Sequence, residues 1–401
     1  FIVSIALLPL SHRLSLSILF VLSLVAFFVI KPAEVKSFLH TRFSFLSLIV
    51  LFSIPLVYVI GMGIHDQFNW RIFDNPSRFL FAVPLMLFSF AIELHKIRML
   101  KAIFFALVLS GLMALIALFL SVDAWLMGAG FGRSRVVMSY GNAIPYANVL
   151  AGLLLLGAAG VLNEIAITKH TRFFSLVAFL MGIFTLILNG TSGVWLGLGA
   201  FFFYWLFKLS YPLGYKTLLS AFIFGCVMFI DWILGQVLID KVFALHQYLV
   251  CYFSSENVIT CGAENLSSRL VLWSVAWGNF VDSPLLGVGP VNHLETIKAA
   301  SEFYGVAALK SYSHSHSDFF NLSSQFGLLG VVAFGLTFIA PIIIGQGLKK
   351  DHFWRALVVV LALGFLLSGL SQTTLAHSST ASFYAFFMAI LMGQLLRSFK
   401  N

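Results

Sequence analysis

The chain has 401 residues, 60% of them hydrophobic and only 10% charged, against about 25% charged in an ordinary soluble domain. No soluble packing hides that much apolar surface, so lipid must be part of the solvent. The net charge of +9 would suit a nucleic acid, but the placement of the charges along the chain fits a membrane topology, and no nucleic-acid partner is expected.

A span needs roughly 20 apolar residues, and such runs follow one another almost end to end. Residues 1–10 read as part of a first span rather than a signal peptide, because no A-x-A-like cleavage site follows them. In chain order, helices are expected near 1–11, 14–30, 43–62, 79–95, 101–121, 139–162, 173–189, 192–207, 217–239, 318–347, 356–372 and 377–397. A backbone inside a bilayer must satisfy its amides within its own segment, so helices are the open-ended solution for such runs. The expected fold is an all-α polytopic membrane protein with about twelve transmembrane helices. Residues 1–239 hold helices one to nine, 240–317 form an extracytoplasmic helical segment, and 318–401 hold the last three.

With the N-terminus inside, the cytoplasmic segments hold Lys31, Lys36, Arg42, Lys96, Arg98, Lys101, Lys169, Arg172, Lys208, Lys216, Lys349, Lys350, Arg355, Arg397 and Lys400. The other side holds Arg13, Arg71, Arg78, Arg133, Arg135, Lys241, Arg269, Lys298 and Lys310. Fifteen against nine, in short loops, is the bias that places both termini in the cytoplasm. Six of the nine are Arg, the side chain whose planar fork grips phosphates; snorkelling to lipid headgroups is the blander use of the same residues.

Cys251 and Cys261 are the cysteines outside the spans and close a short loop within 240–317, whereas Cys226 lies in an apolar helix. A disulfide between Cys251 and Cys261 needs an oxidising compartment such as the bacterial periplasm. Two free thiols are the other reading. The sequence contains no CxxC pair, zinc-type His/Cys spacing, Walker A loop or credible GxGxxG turn.

Within 240–317, Ser267 and Ser268 are N-cap candidates for an amphipathic run with Arg269 at its start and Leu270, Trp273, Trp277 and Phe280 near one stripe. Asp282-Ser283-Pro284, Gly287 and Gly289 end it, and Pro290 opens a second helix through Leu294, Ile297 and about Tyr304. Tryptophans so placed serve as interfacial anchors, and the pair of helices reads as a lid on the outer membrane surface. The segment closes with His314 and His316, just before a span that carries Gly327 and Gly330. The histidines could be idle loop residues, a metal pair completed by Asp318 or His293, or a catalytic base suited to neutral pH. Gly327 and Gly330 would let a neighbouring helix approach closely. Earlier in the chain, Asp74-Asn75-Pro76-Ser77-Arg78 reads as a span cap with Arg78 in the first turn, and Arg133 and Arg135 precede the span near Ser139. Asp231 is an acid well inside a helix, a functional candidate by default or a neutral, hydrogen-bonded one.

These residues resemble the bacterial O-antigen ligase family, within the wider ligase/polymerase group of polytopic glycan transferases. His316-Ser317, nine residues, then Gly327-Leu328-Leu329-Gly330 matches the family's H-[NSQ]-x9-G-x-x-G pattern. Arg269 with Trp273, the stretch Ser283-Pro284-Leu285-Leu286-Gly287-Val288-Gly289, and a D-x-P-S-R-like turn at Asp74–Arg78 fall in the family's order. The likeness covers the whole chain. One departure is Ser192, four residues before Leu196, where family members often carry Arg; what that residue does is either dispensable here or supplied by another Arg, such as Arg133 or Arg135.

The resemblance implies a GT-C-like membrane fold and a metal-independent, inverting glycosyl transfer without cofactor. The donor would be an undecaprenyl-pyrophosphate-linked polysaccharide, the acceptor a hydroxyl of lipid A–core, and membrane lipids the surroundings. His316 would be the general base, with Arg269 as its catalytic partner. Arg78, Arg133 and Arg135 would bind the pyrophosphate beside Arg269, and His314 would contact substrate. The site would face the periplasm from the inner membrane. An O-antigen polymerase or a protein O-oligosaccharyltransferase would use the same donor. A multi-span transporter, the non-enzyme reading, would show internal repeats and a midplane site, whereas the unusual residues here gather at one surface.

Overall fold

The computed structural model describes residues 1–120, 127–130, 133–163, 168–199, 264–303, 307–348 and 352–400. Its helices in chain order are α1 (Ile2–Leu7), α2 (His12–Val29), α3 (Pro32–Leu39), α4 (Ser44–Ile64), α5 (Trp70–Ala91), α6 (Lys96–Leu120), α7 (Ala143–Asn163), α8 (Lys169–Asn189), α9 (Glu264–Asp282), α10 (Pro290–Phe303), α11 (Asp318–Gln346), α12 (Phe353–Ser371) and α13 (Ser378–Lys400). A further helical stretch occupies 193–199. Eight of the described helices, namely α2, α4, α6, α7, α8, α11, α12 and α13, are long and apolar enough to cross a membrane. The chain is a polytopic α-helical membrane protein. The one sheet among the described residues is a two-stranded antiparallel hairpin, Met127–Gly130 (β1) paired with Arg133–Val136 (β2). The expected span at 217–239, most of that at 192–207, Cys226, Asp231 and the Cys251–Cys261 pair lie outside the described residues.

The centre of the bundle is α13, buried without interruption from Ser379 to Leu396. It packs most extensively on α5. At Gly393 a β-carbon would come within 2.4 Å of the Met86 carbonyl oxygen, so glycine sets how close the two helices lie. The last carbonyls of a helix have no partner within it, and here α13 supplies partners for those of α5. Gln394 Nε2 donates to Ile92 O at 2.7 Å, and Arg397 donates to Phe90 O at 3.2 Å and Ala91 O at 2.7 Å. Other cations gather at the same end, with Lys400 over Phe90 and Lys96 over Phe353. Arg397, counted as a topological charge, thus also serves as a cap.

Several boundaries differ from expectation. The helix expected from 79 begins at Trp70, with Asn69 as N-cap accepting from Arg71 N at 2.9 Å. Asp74–Arg78 therefore lies inside α5 and caps nothing. A proline there deletes one helical hydrogen bond, but the Arg78–Asp74 ion pair at 2.8 Å and the bond from Asn75 Nδ2 to Ala376 O at 2.6 Å hold the turn. Likewise α9 starts at Glu264, so Ser267 and Ser268 sit within it rather than capping it. Its end at Asp282 and the start of α10 at Pro290 fall as expected.

The Gly327–Gly330 pair does something other than seat a neighbouring helix. Gly327 breaks α11, with φ 59° and ψ −139°, a conformation essentially confined to glycine. The loop 283–289 docks into the break: Leu328 N donates to Pro284 O at 2.7 Å, Val288 N to Ser324 O at 3.0 Å and Gly289 N to Gln325 O at 2.9 Å. A β-carbon on Gly327 would lie 2.5 Å from the Leu285 carbonyl carbon, and one on Gly330 would lie 2.0 Å from Leu322 O. The break fixes the half-helix Asp318–Phe326 and the segment that precedes it. Gly327→Ala should therefore lower stability by about 1–3 kcal/mol from backbone strain alone. Gly335→Ala, where a new β-carbon meets nothing nearer than 4.0 Å, should be nearly silent. Thermal unfolding of the two variants in detergent checks this, and equal melting temperatures would contradict it.

Candidate functional site

The entrance of α11 is built by Ser317 and Asp318. Ser317 is the N-cap, accepting from Phe320 N at 3.4 Å and donating to Gly369 O at 3.2 Å. Asp318, in the first turn where a negative charge suits the helix dipole, accepts from Thr374 N at 2.8 Å, Thr374 Oγ1 at 2.6 Å and Leu375 N at 3.0 Å. Its carboxylate thus clamps the α12–α13 loop and is not held ready for a metal. Among the described residues no three His, Cys, Asp or Glu side chains form a set able to hold a metal ion.

That loop, Gln372–His377, ties together most of the elements around it. Gln372 Nε2 donates to Asn148 of α7 at 2.5 Å. Thr373 Oγ1 lies 3.0 Å from His314 Nδ1. Ala376 O receives Asn75 of α5, and Arg269 Nη1 on α9 donates to Ser371 O at 3.2 Å, just before the loop. A small cavity beneath it is lined by Tyr58, Asn75, Asp318, Asn321, Leu375 and Ala376. Sequence reading gave this loop no role, although it is a polar run, Ser371-Gln372-Thr373-Thr374, set between two apolar spans.

Three imidazoles meet above the clamp. The rings of His314 and His316 lie 4.6 Å apart nearly at right angles, and those of His314 and His377 lie 5.3 Å apart. Tyr312 packs edge-on against His316 at 4.6 Å. His316 has φ 50°, unusual for a residue other than glycine, and its backbone N donates to His314 Nδ1 at 3.3 Å. Both ring nitrogens of His316 are buried with no hydrogen-bond partner among the described residues, as is Nε2 of His377. Burial lowers the His316 pKa to about 4, helped by the Arg269 charge and by His377. Burial lowers that of His377 to about 4, and burial with the neighbouring histidines puts that of His314 well below the ordinary value. The rings are therefore neutral near pH 7, and a buried imidazole nitrogen with no protein partner among the described residues is available to a ligand.

The wall behind them is a second polar network. His293 of α10, fully buried, bonds Ser324 Oγ through Nδ1 at 2.7 Å and Ser315 Oγ through Nε2 at 3.1 Å. Asn279 of α9 donates to Ser324 Oγ at 2.9 Å and to Thr296 Oγ1 at 2.8 Å. His293 is thus a structural tie between α10, α11 and the histidine loop. Helices α9 and α10, with the 3-10 turn Ala307–Ser311, bury Val271, Leu272, Ile297, Ala300 and Leu309 against one another. Trp273 stacks on Phe320 of α11 at 5.3 Å and so anchors to protein, whereas Trp277 is half exposed, as an interfacial anchor would be.

Of the residues singled out in the sequence, His314, His316 and Arg269 meet in one place; His377 and the loop before it were missed. Arg78 reaches α13, donating to Ser382 Oγ at 2.9 Å while paired with Asp74, and its Nε is buried and unpartnered. Arg133 and Arg135 lie on β2 opposite Gly130 and Gly128. The end of that strand is held at this end of the bundle by Asn189, which donates to Val136 O at 2.7 Å. Ser192, the position of the departure, is exposed and neighbours Gly193, where a β-carbon would meet Gln372.

Residues 176–335 match the model of the O-antigen ligase family. This stretch of the chain is similar to an O-antigen ligase domain. That domain takes in α9, α10, the histidine loop and the broken half of α11, and it stops short of the α12–α13 loop that completes the site. An uncharacterized protein of Haemophilus influenzae is 23% identical, over 96% of this chain and 94% of its own length.

Proposed function

We propose that the protein is an O-antigen ligase that moves a glycan from undecaprenyl pyrophosphate onto a hydroxyl of lipid A–core, at the periplasmic face of the inner membrane with both termini cytoplasmic. The observation that carries this reading is His316: a neutral, desolvated imidazole with both nitrogens unpaired beside an arginine. The acceptor oxygen attacks the anomeric carbon as its proton passes to His316. The bond from that carbon to the pyrophosphate oxygen breaks, and the electron pair leaves with the pyrophosphate, so the centre inverts. Arg269 stabilises the developing charge, Arg78 offers its remaining Nε–H, and Arg133 and Arg135 complete the anion's surroundings. An anion arriving at Arg269 also offsets the charge that holds the His316 pKa down, so the base strengthens when the donor binds.

The test is transfer by purified protein with an undecaprenyl-linked donor and three acceptors: lipid A–core, a growing glycan and an acceptor protein. Ligation to lipid A–core that survives EDTA supports the reading. Transfer only to glycan or protein, or a requirement for a restored metal, overturns it.

The same histidines make a stability prediction. An unfolded chain binds protons on His293, His316 and His377 near 6.5, whereas the folded one resists until about 4. On these groups the unfolded state then holds more protons, so their contribution to stability should fall as pH drops from about 6.5 to 4. Melting temperature against pH checks this, and a flat profile would contradict it.

A further inference from the structure

Two features of the cluster are not explained by a single base. First, His377 lies beyond the matched family domain, yet it sits in the cluster and affects the titration of His316. It is placed there by the Asp318 clamp, which fixes Thr374 and Leu375 three and two residues before it. Second, three imidazole nitrogens on two rings, both of His316 and Nε2 of His377, are buried without partners. His314, the ring that contacts both others, has its Nδ1 3.0 Å from Thr373 Oγ1. General-base catalysis needs one nitrogen, and buried polar groups left unpaired are costly.

The charge state says what the missing partner is. A neutral imidazole offers one N–H donor and one lone pair, which complements a hydroxyl, itself both donor and acceptor. It is a poor match for a phosphate, which wants donors only and finds them on Arg269. A serine or threonine of a protein acceptor brings one hydroxyl, whereas a sugar ring brings two on adjacent carbons. Resting on the ligase reading above, we propose that His377 binds the acceptor: its Nε2 hydrogen-bonds a second hydroxyl on the sugar whose reacting hydroxyl faces His316. The acceptor class is then a carbohydrate that presents neighbouring hydroxyls, and His377 sets which of them reacts.

The test is steady-state kinetics of the full-length protein in nanodiscs, with undecaprenyl-linked donor and lipid A–core as probes, for His377→Ala, His377→Gln and His316→Asn. One neutral hydrogen bond is worth roughly a 3- to 10-fold change in binding. His377→Ala should raise the acceptor KM by that factor, leave the donor KM unchanged and change kcat less. His377→Gln, which keeps a donor and an acceptor, should recover most of the loss. Should His377→Ala not fold, the Gln variant decides alone, through an acceptor KM between that of the wild type and a 10-fold rise. An unchanged acceptor KM with His316→Asn inactive overturns this inference and leaves the ligase reading standing. Normal transfer by His316→Asn overturns both. An equal fall in donor and acceptor use together with a lower melting temperature makes His377 structural and also overturns the inference.

Discussion

Replacing His316 with Asn should reduce glycan transfer by roughly 10²–10⁴-fold, the usual worth of a positioned general base, while the protein stays folded and still binds donor. Asn is the informative substitution because residue 316 sits at φ 50°, where Asn is tolerated far better than most side chains. A loss seen with Asn is therefore a loss of the imidazole and not of the loop. Arg269→Lys should also be strongly impaired, but through the donor KM, since a point charge cannot replace the guanidinium fork. Complementation in cells followed by kinetics with purified protein would check both. Near-normal ligation by His316→Asn would end the mechanism proposed here.

Asp318→Asn should be the most damaging single change to the fold of the site. Its carboxylate accepts three hydrogen bonds from Thr374 and Leu375, and an amide would turn its NH2 toward donors that need an acceptor. Losing these bonds in a fully enclosed place should cost about 2–4 kcal/mol. Thr374→Val removes one of the three and should cost about 1 kcal/mol. The α12–α13 loop carries Thr373 against His314 and His377 beside it, so transfer should fall further than the melting temperature alone explains. An Asp318→Asn protein with wild-type melting temperature and activity would show that the clamp is dispensable.

Much of this site is legible along the chain because it is local. Pro290 opening α10, Asp282 closing α9, and His316 at the mouth of a span are all set by residues within a turn of one another. The misreadings have a common cause, which is packing between distant segments. Pro76 looks like a helix start until Asn75 and Arg78 are seen gripping the α12–α13 loop and α13, roughly 300 residues away. Gly327 and Gly330 look like a helix–helix contact until the loop from Ser283 is placed in the break. His377 follows His316 by 61 positions, with two whole helices, α11 and α12, between them and no periodicity to link them. Only the three bonds of Asp318, themselves unreadable from spacing, bring it alongside.

The break at Gly327 bears on which nucleophile wins. An activated anomeric carbon is open to hydrolysis as well as to transfer, and water is the more abundant nucleophile. An interrupted helix ordinarily leaves backbone carbonyls that recruit water. Here the amides of Val288 and Gly289 satisfy the carbonyls of Ser324 and Gln325, and Leu328 satisfies Pro284. The chain can thus bend beneath its histidines with these carbonyls satisfied by protein, which in the ligase reading proposed above would help a sugar hydroxyl compete with water for the donor.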